Sequence, residues 1–201
     1  MRTGATSVGS RARECNMAIL ADSEIEDAVL SGNMISPFIS QKTRVGVLSH
    51  GLGSYGYDAR LGDEFGQILG HPQQSISPNL PPKLNTFHDP TLVTILSGKF
   101  MLAHTLEVFN IPDDVVATVK DKSTYARLGL AVQNTVLEAG WEGQVTLELS
   151  NHGPLPIQLL VGCGIVQVQF HRGAPCRRTY VGGFQGERGV VVSTIVPKEK
   201  E

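Results

Sequence analysis

Gln144-Val145-Thr146-Leu147-Glu148-Leu149 places an apolar side chain at every second position, with Thr146 and Glu148 between them. A period of two belongs to a strand with one apolar and one polar face, so the Glu148 carboxylate projects away from the core. The same texture extends outward from here. From Val45 onward, short apolar segments are punctuated by Gly, Pro, Asn and Asp, which predicts an all-β domain rather than alternating β and α units. Candidate strands are 92–95, 100–106, 115–119, 144–149, 157–161 and 165–170. The stretch 71–90 carries Pro72, Pro78, Pro81, Pro82 and Pro90 and is expected to be mostly loop. A loop of that length is either functional, packed over another subunit, or a flexible surface excursion.

Near the start, Asp22-Ser23 precedes Ile25, Ala28, Val29 and Leu30. Ser23 and Glu26 fit a capping box and Gly32 fits a stop, which predicts one short helix. Residues 1–16 are polar and small, with Arg2, Arg11 and Arg13 and no apolar periodicity, and read as a disordered extension. Met17 is where the fold is expected to begin, and the length suits a single domain over 17–201.

Composition narrows the function classes. A chain of 201 residues with 41% apolar content can bury one sizeable core. A net charge of -2 gives no electrostatic footprint for nucleic acid, so an anionic ligand must be met by a local cluster. No apolar run approaches the roughly 20 residues of a membrane span, and the N-terminus lacks the apolar stretch of a secretory signal. The expectation is a cytoplasmic protein with neither membrane nor nucleic acid as partner. Cys15, Cys163 and Cys176 are odd in number and widely spaced, which suits free thiols better than a disulfide framework. Pro175-Cys176 is followed by Arg177-Arg178-Thr179, with no second cysteine, and none of the six histidines begins an H-x-E motif. The zinc route to nucleoside deamination is therefore not expected, and no metal ligand set is assigned.

Lys122-Ser123-Thr124-Tyr125-Ala126-Arg127 supplies chemistry of another kind. Ser123 and Arg127 are four apart, so one helical turn sets hydroxyl and guanidinium on one face. Lys122, Ser123 and Thr124 offer donors suited to phosphate oxygens. Together with Glu148 these residue types can deaminate a nucleotide without a metal. Taken singly each has a plainer reading. Glu148 is then a solvated carboxylate, Arg127 a partner for a surface acid, and Ser123 a helix cap.

Four motifs in order, Ser54-Tyr55-Gly56-Tyr57-Asp58-Ala59-Arg60-Leu61, KSTYARLGL over 122–130, Gly140-Trp141-Glu142-Gly143 and Thr146-Leu147-Glu148, make the chain resemble the dCTP deaminases of the trimeric dUTPase superfamily. The resemblance runs from about Met17 to Val192. It implies a dUTPase-like distorted β-barrel (β-clip), with the short N-terminal helix, a small helical segment near the active site and a C-terminal flap at about 180–201. It implies a homotrimer with sites between subunits, dCTP and dUTP as ligands, dTTP as a candidate inhibitor, and Mg2+ that accompanies the triphosphate.

Roles follow residue by residue from the same resemblance. Glu148 is the general acid-base, Arg127 holds the carboxylate and water network, and Ser123 orients the attacking water or stabilises charge at the reacting carbon. Lys122 and Thr124 match phosphate contacts, Gln167 a glutamine reaching the nucleotide, and Tyr180 a tyrosine contacting the triphosphate. Thr146 and Leu147, just before the catalytic glutamate, Phe184 and Glu187 in the flap, and Glu138 are nucleotide-binding candidates as well. On their residues alone, Gln167 is equally an edge-strand amide, Trp141 a packing residue, and Asp58 a structural residue holding a turn.

Two departures stand out. The family's Lys-Tyr-Gln-Gly-Gln flap is replaced by Gly183-Phe184-Gln185-Gly186-Glu187-Arg188-Gly189, without the lysine and with Glu187 in place of a glutamine. A carboxylate beside a triphosphate is repulsive unless magnesium or Arg188 intervenes. Glu138 stands where the superfamily commonly has the aspartate that activates water in dUTPases. The alternatives to a deaminase are therefore a dUTPase, a bifunctional enzyme giving dUMP and diphosphate, and a non-catalytic nucleotide-binding trimer.

Overall fold

The computed structural model describes residues 18–192 apart from 72 and 134. The expected extension over 1–16 lies outside the described residues. In chain order the elements are β1 (Ala18–Ile19), α1 (Asp22–Gly32), β2 (Ile35–Ser36), β3 (Thr43–Val45), β4 (Leu48–Gly53), β5 (Gly56–Arg60), β6 (Glu64–Leu69), β7 (Lys83–His88) and β8 (Leu92–Ile95). They continue as β9 (Phe100–Asn110), β10 (Val115–Asp121), α2 (Ser123–Ala126), β11 (Leu130–Val132), β12 (Val136–Leu137), β13 (Glu142–Asn151), β14 (Ile157–Leu160) and β15 (Gly164–Arg172).

The strands form two main antiparallel sheets. One runs β12-β10-β15-β5-β4-β3 with β1 added to β15, and the other runs β11-β13-β9-β6-β7 with β2 added to β9. A two-stranded ladder of β14 and β8 completes the set. All-β architecture is as expected, but the sheets are open rather than closed into a barrel. The outermost strands β3 and β12 span three residues and two residues, too little for the staggered edge pairing that closure needs.

Alternation places the core. Along β13, Val145, Leu147 and Leu149 turn inward, and Val166, Val168 and Phe170 do so on β15. Phe109 of one sheet meets Phe170 of the other at 6.4 Å between ring centroids, and both are fully buried. Each such side chain contributes roughly 1.5–3 kcal/mol relative to exposure. A polar tie also crosses between the sheets. The fully buried Glu107 on β9 takes the Arg60 guanidinium at 2.7 Å and the Arg60 backbone N–H at 2.8 Å.

Two expectations change. The cap of α1 is not the Ser23/Glu26 box. Ala21 is the N-cap and Glu24 Oε2 accepts its N–H at 3.0 Å, two residues earlier than the serine suggested. The helix does end at Gly32, and Asn33 takes the left-handed position with φ 52°. The stretch 71–90 is not mostly loop in its second half, because β7 occupies Lys83–His88 and pairs along all of β6. Its prolines stop at Pro82 and resume at Pro90, which leaves 83–88 free to donate backbone hydrogen bonds. Phe87 settles against Phe65 at 5.7 Å. Among the described residues no helix is long and apolar enough to cross a membrane, and Cys163 and Cys176 are free thiols.

Candidate active site

β10 delivers the 122–127 segment to the surface. Asp121 ends the strand, and its Oδ1 accepts the Val132 N–H at 2.7 Å, which holds β11 beside it. Lys122 keeps an extended backbone and α2 opens at Ser123. Arg127 caps the turn in right-handed helical conformation, its N–H donating to the Ser123 carbonyl at 3.2 Å. The expected single turn with Ser123 and Arg127 is present, and both side chains are exposed. Gly129 turns the chain out of it with φ +97°, and a Cβ there would lie 2.5 Å from the Gly153 nitrogen.

Lys122 is less open than a phosphate contact suggests. Its ammonium is ion-paired with Asp58 and donates to Ser49 Oγ at 3.0 Å, while Lys42 Nζ reaches the same Asp58 oxygen at 3.0 Å. Asp58 is indeed structural, but through long-range partners rather than a local turn. Ser49 adds a hydrogen bond to that oxygen at 3.0 Å. Lys122, Ser123, Thr124 and Gln167 line one polar cavity of about 360 Å³ together with Lys42, Arg44 and Asp121.

Glu148 lines a different cavity of about 400 Å³, shared with Glu138, Thr146, Tyr180, Phe184 and Glu187 and walled by Trp141. Burial raises its carboxyl above the ordinary glutamate range, against a smaller opposing effect of a backbone hydrogen bond. Leu147 puts its side chain wholly in the core, so any part it takes in the site falls to its main chain. Arg127 lines neither cavity. Within one chain, then, the candidate residues fall into two groups, and Ser123 is not brought to Glu148.

The C-terminal segment forms the outer wall of the Glu148 cavity. Tyr180 N–H donates to the Ala139 carbonyl at 2.8 Å, and the Tyr180 hydroxyl accepts the Phe184 N–H at 3.3 Å. Glu187 bridges Gly143 in parallel, its carbonyl accepting the Gln144 N–H at 2.9 Å. The Val191 N–H reaches Thr146 Oγ1 at 3.4 Å. The residue at 143 must be small for this approach, because a Cβ at Gly143 would sit 2.6 Å from the Trp141 ring. Arg188 is engaged with Glu142 at 2.8 Å and donates to the Glu187 carbonyl.

A family model described as dCTP deaminase-like matches residues 19–173. The chain belongs to the dCTP deaminase-like family. A dCTP deaminase of Novosphingobium aromaticivorans is 42% identical over 185 residues, covering 89% of this chain and 100% of the relative. One from Granulibacter bethesdensis is also 42% identical, over 180 residues that make up 87% of this chain and 97% of the relative. Among solved structures, a 2'-deoxycytidine 5'-triphosphate deaminase from Agrobacterium tumefaciens shares the fold with a TM-score of 0.58 at 20% identity, covering 78% of this chain and 48% of that one.

In this family member the arrangement separates two chemical tasks. The Glu148 cavity offers a carboxylate tuned towards neutrality beside aromatic surface, which suits proton transfer at a planar ring. The polar cavity offers cations and hydroxyls, which suit phosphate. Trp141 belongs to the site wall although its sequence context pointed only to packing. It is both, being buried with its indole N–H donating to the Phe184 carbonyl at 2.8 Å. Lys42 and Arg44 also line the polar cavity, although along the sequence their one signal is two cations two apart. Among the described residues no cluster of three or more His, Cys, Asp or Glu side chains is arranged to hold a metal ion.

Proposed function

We propose that the protein hydrolyses dCTP to dUTP and ammonia, with Glu148 as the general acid-base. The observation that carries this reading is the partly buried Glu148, its carboxyl raised by desolvation, in a cavity walled by Trp141 and Phe184. Water adds to C4 of the cytosine as Glu148 takes its proton. The tetrahedral carbon then expels ammonia as the carboxyl returns the proton to the amine, and the remaining hydroxyl proton passes to N3, leaving the C4 carbonyl of uracil. Ser123 and Arg127 stabilise the developing charge and fix the water. Lys122, Thr124 and Gln167 hold the triphosphate, and Mg2+ arrives with that triphosphate as part of the substrate.

Because Ser123 and Glu148 line separate cavities in one chain, the reading includes a homotrimer in which Ser123 and Arg127 of one subunit meet Glu148 of the next. The segment from about 180 is then the flap of a single domain, and the setting is the cytoplasmic deoxynucleotide pool with dTTP as a candidate inhibitor. Glu138 and Glu148 share a cavity, which favours, as a second reading, added hydrolysis of dUTP to dUMP and diphosphate.

Purified, chelator-treated protein supplied with Mg2+ and either dCTP or dUTP, with products separated by chromatography, tests these readings. dUTP and ammonia from dCTP support the first, and dUMP from either substrate supports the second. Nucleotide binding without turnover would leave only a nucleotide-binding trimer, and activity restored solely by zinc would overturn the metal-free chemistry.

A further inference from the structure

Charge in the polar cavity does not balance within the chain. Lys42 stands just before β3 and Arg44 at its centre, two residues apart on extended backbone, and both face the cavity lined by Lys122, Ser123, Thr124 and Gln167. The register sets Arg44 opposite Ser49, the residue that hydrogen-bonds both Lys122 and Asp58. Lys42 and Lys122 converge on one oxygen of a single carboxylate, Asp58. The other carboxylate of the cavity, Asp121, already accepts the Val132 N–H. Arg44 is exposed and forms no ion pair among the described residues.

Three cations thus face two carboxylates across a space of about 360 Å³ that is lined by hydroxyl and amide donors. A polyanion removes that excess. A guanidinium on a strand edge presents paired N–H donors with the spacing of phosphate oxygens, and a lysine that shares its counter-ion has attraction to spare. We infer that Lys42 and Arg44 form a second wall of the triphosphate subsite, opposite the Lys122-Ser123-Thr124 turn, and grip the outer phosphates of the nucleotide. This rests on the proposed reading that the turn holds phosphate. It adds that selectivity for triphosphate over monophosphate resides in β3.

The test measures binding of inorganic tripolyphosphate, dCTP and dCMP by calorimetry to the intact protein and to Arg44→Ala, Arg44→Lys and Lys42→Gln. Arg44→Ala should weaken tripolyphosphate and dCTP by roughly tenfold and dCMP by much less, with Arg44→Lys recovering part of the loss. The thermal midpoint of Arg44→Ala should stay at the wild-type value, since the side chain is exposed at a sheet edge. Unchanged tripolyphosphate affinity in both Arg44→Ala and Lys42→Gln overturns the inference while leaving the deaminase reading intact. Arg44-dependent tripolyphosphate binding by a protein that fails to deaminate dCTP would do the reverse.

Discussion

The indole N–H of Trp141 donates to the main-chain carbonyl of Phe184 at 2.8 Å and so latches the C-terminal segment over the Glu148 cavity. The latch is one partly buried hydrogen bond among several backbone contacts, worth about 1 kcal/mol net. Trp141→Phe keeps an aromatic ring in the wall but removes the indole donor and trims the side chain. It should raise KM for dCTP several-fold, about the effect of that one bond, and should increase amide hydrogen exchange across 180–191. Exchange identical to wild type would show that the backbone contacts hold the segment without the indole.

Glu148→Gln removes the proton carrier but preserves the shape of the side chain. Deamination should fall by roughly two orders of magnitude or more while dCTP still binds. Near-normal turnover would remove Glu148 from the mechanism.

The same substitution has a signature in stability against pH. Desolvation raises the Glu148 carboxyl above its unfolded value, so the native state holds that proton more tightly than the unfolded chain does. The resulting stabilisation is present below the unfolded value and is lost as pH rises through the raised native value. Glu148→Gln should therefore gain stability relative to wild type as pH increases from acid to neutral, read as a widening gap between melting temperatures. Wild-type activity should rise through the same interval, since only the ionised carboxylate accepts the proton of water. A constant gap would indicate that the carboxyl is not desolvated.

Asp58 neutralises Lys122, whose side chain is 9% exposed. Asp58→Asn leaves that ammonium without its counter-charge and should cost about 3 kcal/mol in a denaturant titration. Adding Lys122→Met should recover part of that loss, because the stranded charge is then gone. A double variant less stable than Asp58→Asn alone would argue that Lys122 is held chiefly by Ser49.

Subunit mixing addresses the two separate cavities. On the proposed homotrimer, neither Arg127→Ala nor Glu148→Gln protein should deaminate alone, yet exchanged mixtures should regain activity in sites that draw both intact residues from different chains. Mixed trimers that remain inactive after verified exchange would place the whole site within one subunit.

Much of this was legible along the chain. The period-two pattern around Glu148 identified the strand and the outward carboxylate, and the spacing of Ser123 and Arg127 identified the turn, because both depend on local backbone geometry. Order along the chain said nothing of β7, since prolines counted over 71–90 concealed the proline-free run 83–88 that pairs with β6. The pairing of Asp58 with Lys122, sixty-four positions apart, and the convergence of Lys42 on the same oxygen were equally hidden. Such contacts arise only when β3, β5 and β10 are gathered into one sheet, through β4 and β15, as the apolar face of that sheet is buried. That burial is non-directional, so residue type along one strand does not specify which distant charge it will meet. The raised carboxyl of Glu148 belongs to the same class, because the burial that raises it exists only in the folded chain.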